Sequence, residues 1–389
     1  MKKELWSPSN DMLFEVLPKL STKDLLKLKC VSKEWQCLIS DRSFIQVQLK
    51  NMEPPSGFFY QGRYQWCDED YDWISYMPIS GSVATEEVHN DVLDFLPENV
   101  VILDSRYGLV CCRSIFPCNV PLIYICNPVN KEWKAIQWPN SSRESSIALV
   151  FEPLKKPINE FTKFQVVIVS HQDETSTEGD RYGYFSFNIY SSETGLWRRS
   201  GEICYCNHNM LKKGCVCVKG IIYWLTDGDQ ILMFDPENEI SWLISIPLPR
   251  NQFNLKPEMC LGEAEGRLHY VLICEHGLQL WVLEDRFTSQ WDLTYTISLE
   301  ELENENNKYL FKIAEKLASN FNTDDIPWIG TLAFKDNILL MRVSVNIYLY
   351  HFETRKMRHL CSLSALAPKP FFVATVVPHT MSLVPLGQS

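Results

Sequence analysis

The chain lacks the long hydrophobic runs that would place it in a membrane or direct it to secretion. Its 389 residues contain no run of eighteen apolar residues, and the longest apolar stretch near the end covers only Phe371 to Val377. A membrane-spanning helix needs about 20 such residues. The N-terminal segment, residues 1–6, also lacks the apolar core of a signal peptide. We therefore expect a soluble protein without membrane contact, located in the cytoplasm, the nucleus or both.

Sequence signatures of catalysis are absent as well. The chain has no G-x-S-x-G elbow, no Gly-rich phosphate loop with lysine, no H-E-x-x-H and no paired C-x-x-C. None of its eight histidines stands beside a nucleophile and an acid in a motif. These absences predict a protein that is not an enzyme and that uses no cofactor.

Cysteine is plentiful, but its spacing does not favour metal binding. The fourteen cysteines are expected to be free thiols in a reducing compartment, mostly buried. Five possible ligands lie within fourteen residues, namely Cys204, Cys206, His208, Cys215 and Cys217. Both cysteine pairs have one intervening residue, whereas structural zinc sites normally have two to four. Alternation along a strand would place Cys215 and Cys217 on one face as small core residues, so we predict no metal site.

Negative charge is concentrated after the first fifty residues. The net charge is +3 for residues 1–50 and −14 for residues 51–389. A basic module suits an acidic partner surface, whereas the acidic remainder argues against binding nucleic-acid phosphates. The simpler alternative, that this charge only maintains solubility, stays open for the larger part.

The first fifty residues carry more apolar surface than they can bury alone. Three sets repeat at helical spacing: Leu13, Val16, Leu17 and Leu20; Leu25, Leu26, Leu28 and Val31; Trp35, Leu38, Ile39 and Phe44. Ser21 and Ser32 are the predicted N-caps of the second and third sets. So short a segment can hide only part of this surface, which predicts a docking module for another protein.

This segment resembles the F-box, particularly its plant form. The matching residues are Asp11, Glu15-Val16-Leu17, Leu20, Leu25-Leu26, Cys30-Val31-Ser32-Lys33, Trp35, Leu38-Ile39-Ser40 and Phe44. The resemblance implies docking on a Skp-family adaptor and, through it, on a cullin. The residues it implies for adaptor contact or helix packing are Leu13, Val16, Leu17, Leu20, Leu25, Leu26, Val31, Trp35, Leu38 and Ile39.

The segment departs from the family at two places. Pro8-Ser9 replaces the usual opening Leu-Pro, and Ser21 replaces the proline that usually begins the second helix. Pro18 instead falls inside the expected first helix, where it removes an N–H and disfavours helical geometry at Leu17. We expect the first helix to end or kink early.

The helical pattern ends near Asn51-Met52-Glu53-Pro54-Pro55-Ser56. The expected domains are therefore 1–50 (F-box), 51–56 (linker) and 57–389 (a β domain). In the β domain a weak repeat places two apolar strands, a polar turn and a closing residue in each unit. The closing residues are Trp133, Trp197, Trp242, Trp291 and Arg358, at spacings of 64, 45, 49 and 67.

Kelch-type blades repeat at about 50 residues, so the two long spacings predict insertions. One is the polar run Gln172 to Arg181. The other is a rim helix over 299–321, which begins with the capping box Ser298-x-x-Glu301. We favour a helix packed on the domain over one that binds a partner.

The predicted fold class is α+β multidomain: a three-helix F-box followed by an all-β, propeller-like domain of about six to seven blades. The segments 57–60 and 371–386 would pair to close the ring. The β domain also resembles the F-box-associated, kelch-like domain of plant F-box proteins, through Gly108-Leu109-Val110-Cys111, Asn127-Pro128 and Ser382-Leu383-Val384-Pro385. A β-sandwich stays open as an alternative.

A second candidate site is the aromatic and acidic stretch from Phe58 to Tyr76. Exposed aromatics beside carboxylates suit a basic peptide or a carbohydrate, but aromatic stripes are more often core, which we favour. The family resemblance implies a non-catalytic substrate receptor of a Skp–cullin–F-box ubiquitin ligase whose β domain captures an unknown protein target. The alternatives are a carbohydrate- or peptide-binding propeller outside a ligase and a propeller enzyme, whose clustered arginines or metal ligands the sequence does not show.

Overall fold

The structure, a computed structural model, begins with short helices and continues almost wholly as β-sheet. It describes residues 15–51, 54–62, 73–79, 88–90, 92–139, 141–142, 145–158, 162–175, 181–210, 214–319, 328–366 and 374–387. Within these ranges, no helix has the length and apolar character needed to cross a membrane.

The N-terminal helices begin and end where the sequence supplies caps. A 3-10 helix at Leu17–Lys19 is followed by α1 (Thr22–Leu28), α2 (Lys33–Ser40) and α3 (Arg42–Lys50). Ser21 accepts the N–H of Asp24 and Ser32 accepts that of Trp35, so both predicted N-caps are confirmed. The early end of the first helix is also confirmed: the 3-10 helix that contains Pro18 ends at Lys19, and Leu20 is already extended. The third apolar set does not form one helix, because Asp41 caps α3 and divides the set.

The β domain consists of antiparallel meanders. Its strands are β1 (Gly57–Gly62), β2 (Ser75–Pro78), β3 (Val100–Arg106), β4 (Leu109–Ser114), β5 (Leu122–Asn127), β6 (Glu132–Gln137), β7 (Ser146–Val150), β8 (Gln165–Thr175), β9 (Arg181–Ser191), β10 (Leu196–Tyr205), β11 (Val216–Val218), β12 (Ile221–Leu225), β13 (Gln230–Asp235), β14 (Ile240–Ser245), β15 (Glu258–Ala264), β16 (Arg267–Cys274), β17 (Gly277–Asp285), β18 (Gln290–Ile297), β19 (Ile329–Lys335), β20 (Ile338–Val343), β21 (Asn346–His351), β22 (Lys356–Ser362) and β23 (Ala374–His379). A second 3-10 helix covers Arg250–Gln252.

The predicted number of six to seven blades is wrong when each hydrogen-bonded sheet is counted as one blade. Hydrogen bonds join the described strands into five sheets, four with at least four strands and one, β2-β1-β23, with three. The meanders β15–β18 and β19–β22 share one eight-stranded sheet through a parallel bridge that pairs Gly262 with Phe334 and Glu263 with Lys335. A Cβ at Gly262 would lie 2.3 Å from the Phe334 carbonyl oxygen, so the missing side chain permits this approach.

The closing residues of the repeat mark the outermost strand of each meander. Trp133, Trp197, Trp242, Trp291 and Arg358 lie at the second or third position of β6, β10, β14, β18 and β22. A residue with φ between 51° and 68° stands just before each of these strands: Lys131, Gly195, Glu239, Ser289 and Arg355. A left-handed residue in a tight turn matches the twist of a hairpin, which explains why polar turns recur at these points.

The innermost strands surround a common axis. They contact one another in the cyclic order β23, β3, β7, β11, β15, β19 and back to β23. The pairing that closes the ring is antiparallel and runs from Gly57↔His379 to Gly62↔Ala374. The predicted pairing of the two ends of the β domain is thereby confirmed within the described residues, and a β-propeller rather than a sandwich results.

His379 lies at this closure and couples stability to pH. It is fully buried, its Nδ1 is 2.8 Å from the Ser105 hydroxyl, and burial lowers its pKa to about 3. An unfolded histidine has a pKa of about 6.5, so the native state excludes a proton that the unfolded chain binds. The stability that this neutral histidine contributes is complete above pH 6.5 and is lost as the pH falls below it.

We therefore expect His379→Gln to flatten the acid side of the stability profile. Between pH 6.5 and pH 4 the wild type should lose up to about 1.4 kcal/mol per pH unit more than the variant. Urea denaturation at half-unit steps measures both profiles under identical salt. Parallel profiles would contradict the assignment of this loss to His379.

The predicted rim helix over 299–321 is two helices. They are α4 (Leu299–Glu305) and α5 (Ile313–Ser319), and residue 321 lies outside the described residues. The capping box of Ser298 and Glu301 is present as predicted. The helix ends because Asn306 turns inward, donating to the Arg355 carbonyl and accepting from the Met357 N–H. Buried Leu302, Leu310 and Ile313 pack α4 and α5 on the β domain. The last helix, α6, covers Leu363–Leu366.

The two predicted insertions therefore take different forms. The polar run from Gln172 lengthens the hairpin of β8 and β9, whose strands have 11 residues each, against six in β4 and β5. Residues 176–180 at its tip lie outside the described residues. The second insertion adds α4 and α5 between β18 and β19.

Candidate functional site

The residues predicted for adaptor contact or helix packing fall into three groups by exposure. Leu17, Leu25 and Ile39 are buried, Val16 and Val31 are exposed, and Leu20, Leu26, Trp35 and Leu38 are half-buried. Leu13 lies outside the described residues. The sequence could not make this division because buried and partner-facing positions share apolar character.

The buried group belongs to a core that the helices share with the β domain. Leu25, Ile39 and Phe44 have no exposed surface and lie in one apolar cluster with residues of β4 and β5. Because this cluster is continuous, the helices pack on the β domain and do not form a separate folded unit. Their apolar surface is satisfied partly by each other and partly by the sheets.

The exposed group lies outside this shared core. Val31 stands in the connection between α1 and α2 and exposes 66% of its surface, and Val16 exposes 56%. Cys30, beside Val31, is also exposed. Half-buried Leu26 and Trp35 belong to the helices that flank this connection. We refer to the three exposed residues Val16, Cys30 and Val31 together as the free face.

Helix α3 fastens the helices to the β domain through one glutamine. The Gln46 amide donates to the Pro153 carbonyl at 2.8 Å, and its carbonyl accepts the Ile158 N–H at 3.0 Å. Both bonds reach the segment that follows β7. A two-point amide contact fixes direction as well as distance, so the helices have a defined orientation on the sheets.

The C-terminal strap, residues 380–387, lies between the helices and the β domain. Leu383, Val384 and Leu386 are buried in the shared core. On the helical side, the Thr22 hydroxyl donates to the Met381 carbonyl. On the side of the sheets, the Glu132 carboxylate accepts the Leu386 N–H at 2.6 Å.

Asn127 holds the strap to the sheet. It is fully buried, and its amide donates to the Ser382 and Val384 carbonyls at 3.1 and 2.7 Å. Its side-chain oxygen accepts the Val129 N–H at 3.0 Å. Asn130, half-buried, donates to the Val384 carbonyl at 3.1 Å as a second attachment. A buried amide whose hydrogen bonds are all satisfied contributes strongly to the stability of the fold, because losing any of these bonds would leave a polar group without a partner.

Three separate sequence motifs meet at the strap. Gly108 has φ +83°, and a Cβ there would lie 2.1 Å from the Ser382 hydroxyl. That hydroxyl donates to the Tyr107 carbonyl at 2.6 Å. The segments Gly108–Cys111, Asn127-Pro128 and Ser382–Pro385, which carried the second family resemblance, are therefore parts of one contact. Sequence reasoning missed the roles of Gln46, Thr22 and Glu132, because polar residues on helices and strands carry no signal of a distant partner.

The cysteine-rich segment is part of the β domain's interior. Cys204, Cys206 and Cys217 are buried in an apolar cluster, and Cys215 packs against it. Burial raises the pKa of Cys204 to about 11 and that of Cys217 to about 12, which keeps both thiols protonated. The Nδ1 atom of His208 lies 3.4 Å from a carboxylate oxygen of Asp227. Among the described residues, no group of three or more His, Cys, Asp or Glu is placed to hold a metal.

The described aromatic residues of the stretch from Phe58 to Tyr76 are mainly core, as favoured from the sequence. Phe58, Phe59, Tyr60 and Tyr76 are buried. Trp73 is 40% exposed, but its indole N–H donates to the Leu366 carbonyl. Residues 63–72, which include the stretch's acidic run, lie outside the described residues.

Comparison with known proteins supports the organisation seen in the structure. Residues 9–46 match the F-box domain, and residues 91–312, more than half of the chain, match "F-box protein At3g26010-like, beta-propeller". The chain is 27% identical over 308 residues to the Arabidopsis thaliana F-box protein At5g49610, covering 75% of this chain and 79% of that protein. It is 22% identical over 395 residues to F-box protein At5g07610 of the same plant, covering 93% and 88%.

Solved structures resemble the chain more distantly. TolB from Acinetobacter baumannii aligns with a TM-score of 0.41 and 13% identity, covering 86% of this chain and 71% of TolB. The family assignment therefore depends on the sequence matches and on the architecture, a helical F-box followed by an all-β propeller. The chain belongs to the family of F-box proteins with an At3g26010-like beta-propeller.

Proposed function

We propose that this protein is the substrate-recognition subunit of a Skp–cullin–F-box ubiquitin ligase. In this proposal the F-box docks on the Skp-family adaptor, and the β domain captures a protein target. The observation that carries it is the free face: within a segment that matches the F-box, Val16 and Val31 keep more than half of their surface exposed. Apolar side chains that stay exposed within a docking segment are available for burial against a partner.

The F-box residues outside the free face support the proposal by a different role, attachment to the β domain. The buried side chains of the F-box and Gln46 join it to the β domain, and the exposed residues of the free face remain available to a partner. A rigid link would hold a captured target at a constant position relative to the adaptor. The protein would then supply proximity, raising the effective concentration of the target beside the transferring enzyme, and would make no bonds itself.

The proposal includes the domain bounds and the cell compartment. We take 1–50 as the F-box, 51–56 as the linker and 57–389 as one F-box-associated, kelch-like domain. The partners are the adaptor, a cullin held through it and an unidentified protein target. A subunit of such a ligase would act in the cytoplasm, the nucleus or both.

Co-expression with a plant Skp-family adaptor tests the proposal. We expect one-to-one co-elution in size-exclusion chromatography and a measurable dissociation constant by calorimetry. Absence of a complex with a folded full-length chain would overturn the ligase proposal. It would favour the alternative, a carbohydrate- or peptide-binding propeller that acts outside a ligase.

Val31→Asp should separate adaptor contact from folding. Because Val31 is 66% exposed, the charge stays in water in the free protein, and the melting temperature should not change. In the complex the carboxylate would be desolvated without a partner, so we expect adaptor affinity to fall by at least about 30-fold, or 2 kcal/mol. Calorimetric titration of the adaptor measures this.

Val120→Asp is the matched control. Val120 is 60% exposed and lies on the β domain before β5, so the same substitution should leave adaptor binding unchanged. Equal affinities for wild type and Val31→Asp would remove the free face from the interface.

A further inference from the structure

The propeller axis contains a cavity of about 590 Å³. It is lined by ends of the innermost strands β3, β11, β15, β19 and β23 and by the segment that follows β7. Lys155, Lys219 and Glu265 are exposed at its mouth, so it opens to solvent. Its volume lies within the usual range for small-molecule sites, about 300–1,000 Å³.

A guanidinium without a full set of partners lies in this cavity. The Arg106 side chain is 13% exposed, and its Nε makes no hydrogen bond. The nearest carboxylate, Asp104, is 3.4 Å from Nε. Asp104 is already engaged by the N–H groups of Ser105 and Leu149 and by the Cys215 thiol. A largely buried arginine N–H that makes no hydrogen bond, with only an ion pair to Asp104, is costly unless a ligand accepts from it.

A second cation, Lys335, also lines the cavity. Lys335, at the end of β19, is paired with Glu263, and burial lowers its pKa. The charge of Arg106 lowers that pKa further, so the two cations repel each other across the cavity. An anion between them would relieve this repulsion and would also supply the acceptor that Arg106 lacks.

The carboxylates that line the cavity do not supply the acceptor that the Arg106 Nε lacks. Glu263 pairs with Lys335 and also accepts the Gly266 N–H. Burial raises the pKa of Glu152 and of Asp336, and neither carboxylate accepts a hydrogen bond from the Arg106 Nε. The inner ends of β3 and β19 therefore combine two partly buried cations with an Arg106 Nε that makes no hydrogen bond.

We propose that the axial cavity is a binding site for a small organic anion, whose carboxylate or phosphate group is held between Arg106 and Lys335. The bidentate fork of Arg106 fixes the orientation of the anionic group, and Lys335 supplies a point charge. The remaining volume accepts the organic part, with Glu152, Asp336 and the lysines at the mouth available to its polar groups. This site is independent of adaptor binding.

Thermal unfolding of the full-length chain with inorganic phosphate and with citrate tests the site. At 10 mM and constant ionic strength, set with sodium chloride, at least one of these anions should raise the melting temperature of the wild type by about 2 °C or more. The rise should disappear in Arg106→Gln and shrink in Lys335→Gln. Arg199→Gln, at an exposed arginine of β10, should keep the wild-type rise.

The comparison uses the anion-induced rise within each variant, because Arg106→Gln also changes the surroundings of Asp104. Lys335→Gln provides a second, independent removal of positive charge if Arg106→Gln folds poorly. The proposal is overturned if neither anion stabilises the wild type more than chloride does. It is equally overturned if both cavity variants keep the full rise.

Discussion

Replacing Asn127 with alanine is expected to lower the free energy of unfolding by about 3–5 kcal/mol, a large fraction of the stability of a typical domain. The substitution would leave the Ser382 carbonyl and the Val129 N–H without their bonds to Asn127, and the Val384 carbonyl would keep only its bond from Asn130. Ser382 and Val384 have no exposed surface, so water cannot replace the amide at their carbonyls. Denaturation in urea, followed by tryptophan fluorescence, measures the loss.

Asn130→Ala provides the graded control for this prediction. Asn130 reaches the same strap, but it is only half-buried, and its bonds to the strap measure 3.1 and 3.3 Å against 2.7 and 3.1 Å for Asn127. We expect a loss of about 1 kcal/mol, because water can reach the groups left behind. Equal losses for the two variants would contradict the role of Asn127 as the principal attachment of the strap.

Ile39→Asp is the second large effect, and it should abolish adaptor binding for a different reason than Val31→Asp. Ile39 has no exposed surface and lies in the core shared by the helices and the β domain. An unpaired carboxylate there costs more than about 4 kcal/mol, so the helices should unfold or separate from the sheets. Loss of far-UV helical signal and new protease cleavage within residues 15–50 should accompany the loss of binding.

Ile39→Val keeps the apolar character and removes one methylene group. It should cost about 1 kcal/mol and leave adaptor affinity unchanged. An Ile39→Asp protein that keeps the wild-type melting temperature and helical signal would show that Ile39 is not part of the shared core. Comparing Ile39→Asp and Ile39→Val with Val31→Asp distinguishes loss of adaptor binding through unfolding from loss of a direct adaptor contact.

The strap connects both predictions to the geometry that the proposed function needs. Its buried leucines and its bonds to Thr22 and Asn127 place the end of the chain between the F-box and the propeller. Loosening it would change how the two parts are oriented before it unfolded either of them. A weakened strap would therefore reduce transfer to a captured target more than it reduces adaptor affinity.

Local patterns predicted much of the fold because their causes are local. Apolar spacing and the caps Ser21 and Ser32 located the helices, and polar turns before Trp133 and Trp197 located the outermost strands. The pairing of the chain's two ends in the β domain followed from the need of a ring to close its edges. Each of these features depends on residues a few positions apart or on a general rule about sheets.

The errors and omissions involve contacts between distant residues. The rim helix ends at Asn306 because of partners near Arg355 and Met357, some 50 positions away. The sheet count changes because Gly262 lets two inner strands approach each other. The boundary between α2 and α3 was missed for a nearer reason: Asp41, a good N-cap, interrupts a continuous apolar pattern.

The amino-acid order alone thus fixed the family, the helical start and the repeating strands, because hydrophobic period, capping and turn chemistry are properties of short segments. Folding in three dimensions decided which apolar residues of the F-box are core and which remain exposed, since Val31 and Ile39 are chemically alike. It also brought Gly108, Asn127 and the strap together and placed Arg106 and Lys335 around one cavity. Those relations depend on the closure of the ring, which joins residues more than two hundred positions apart.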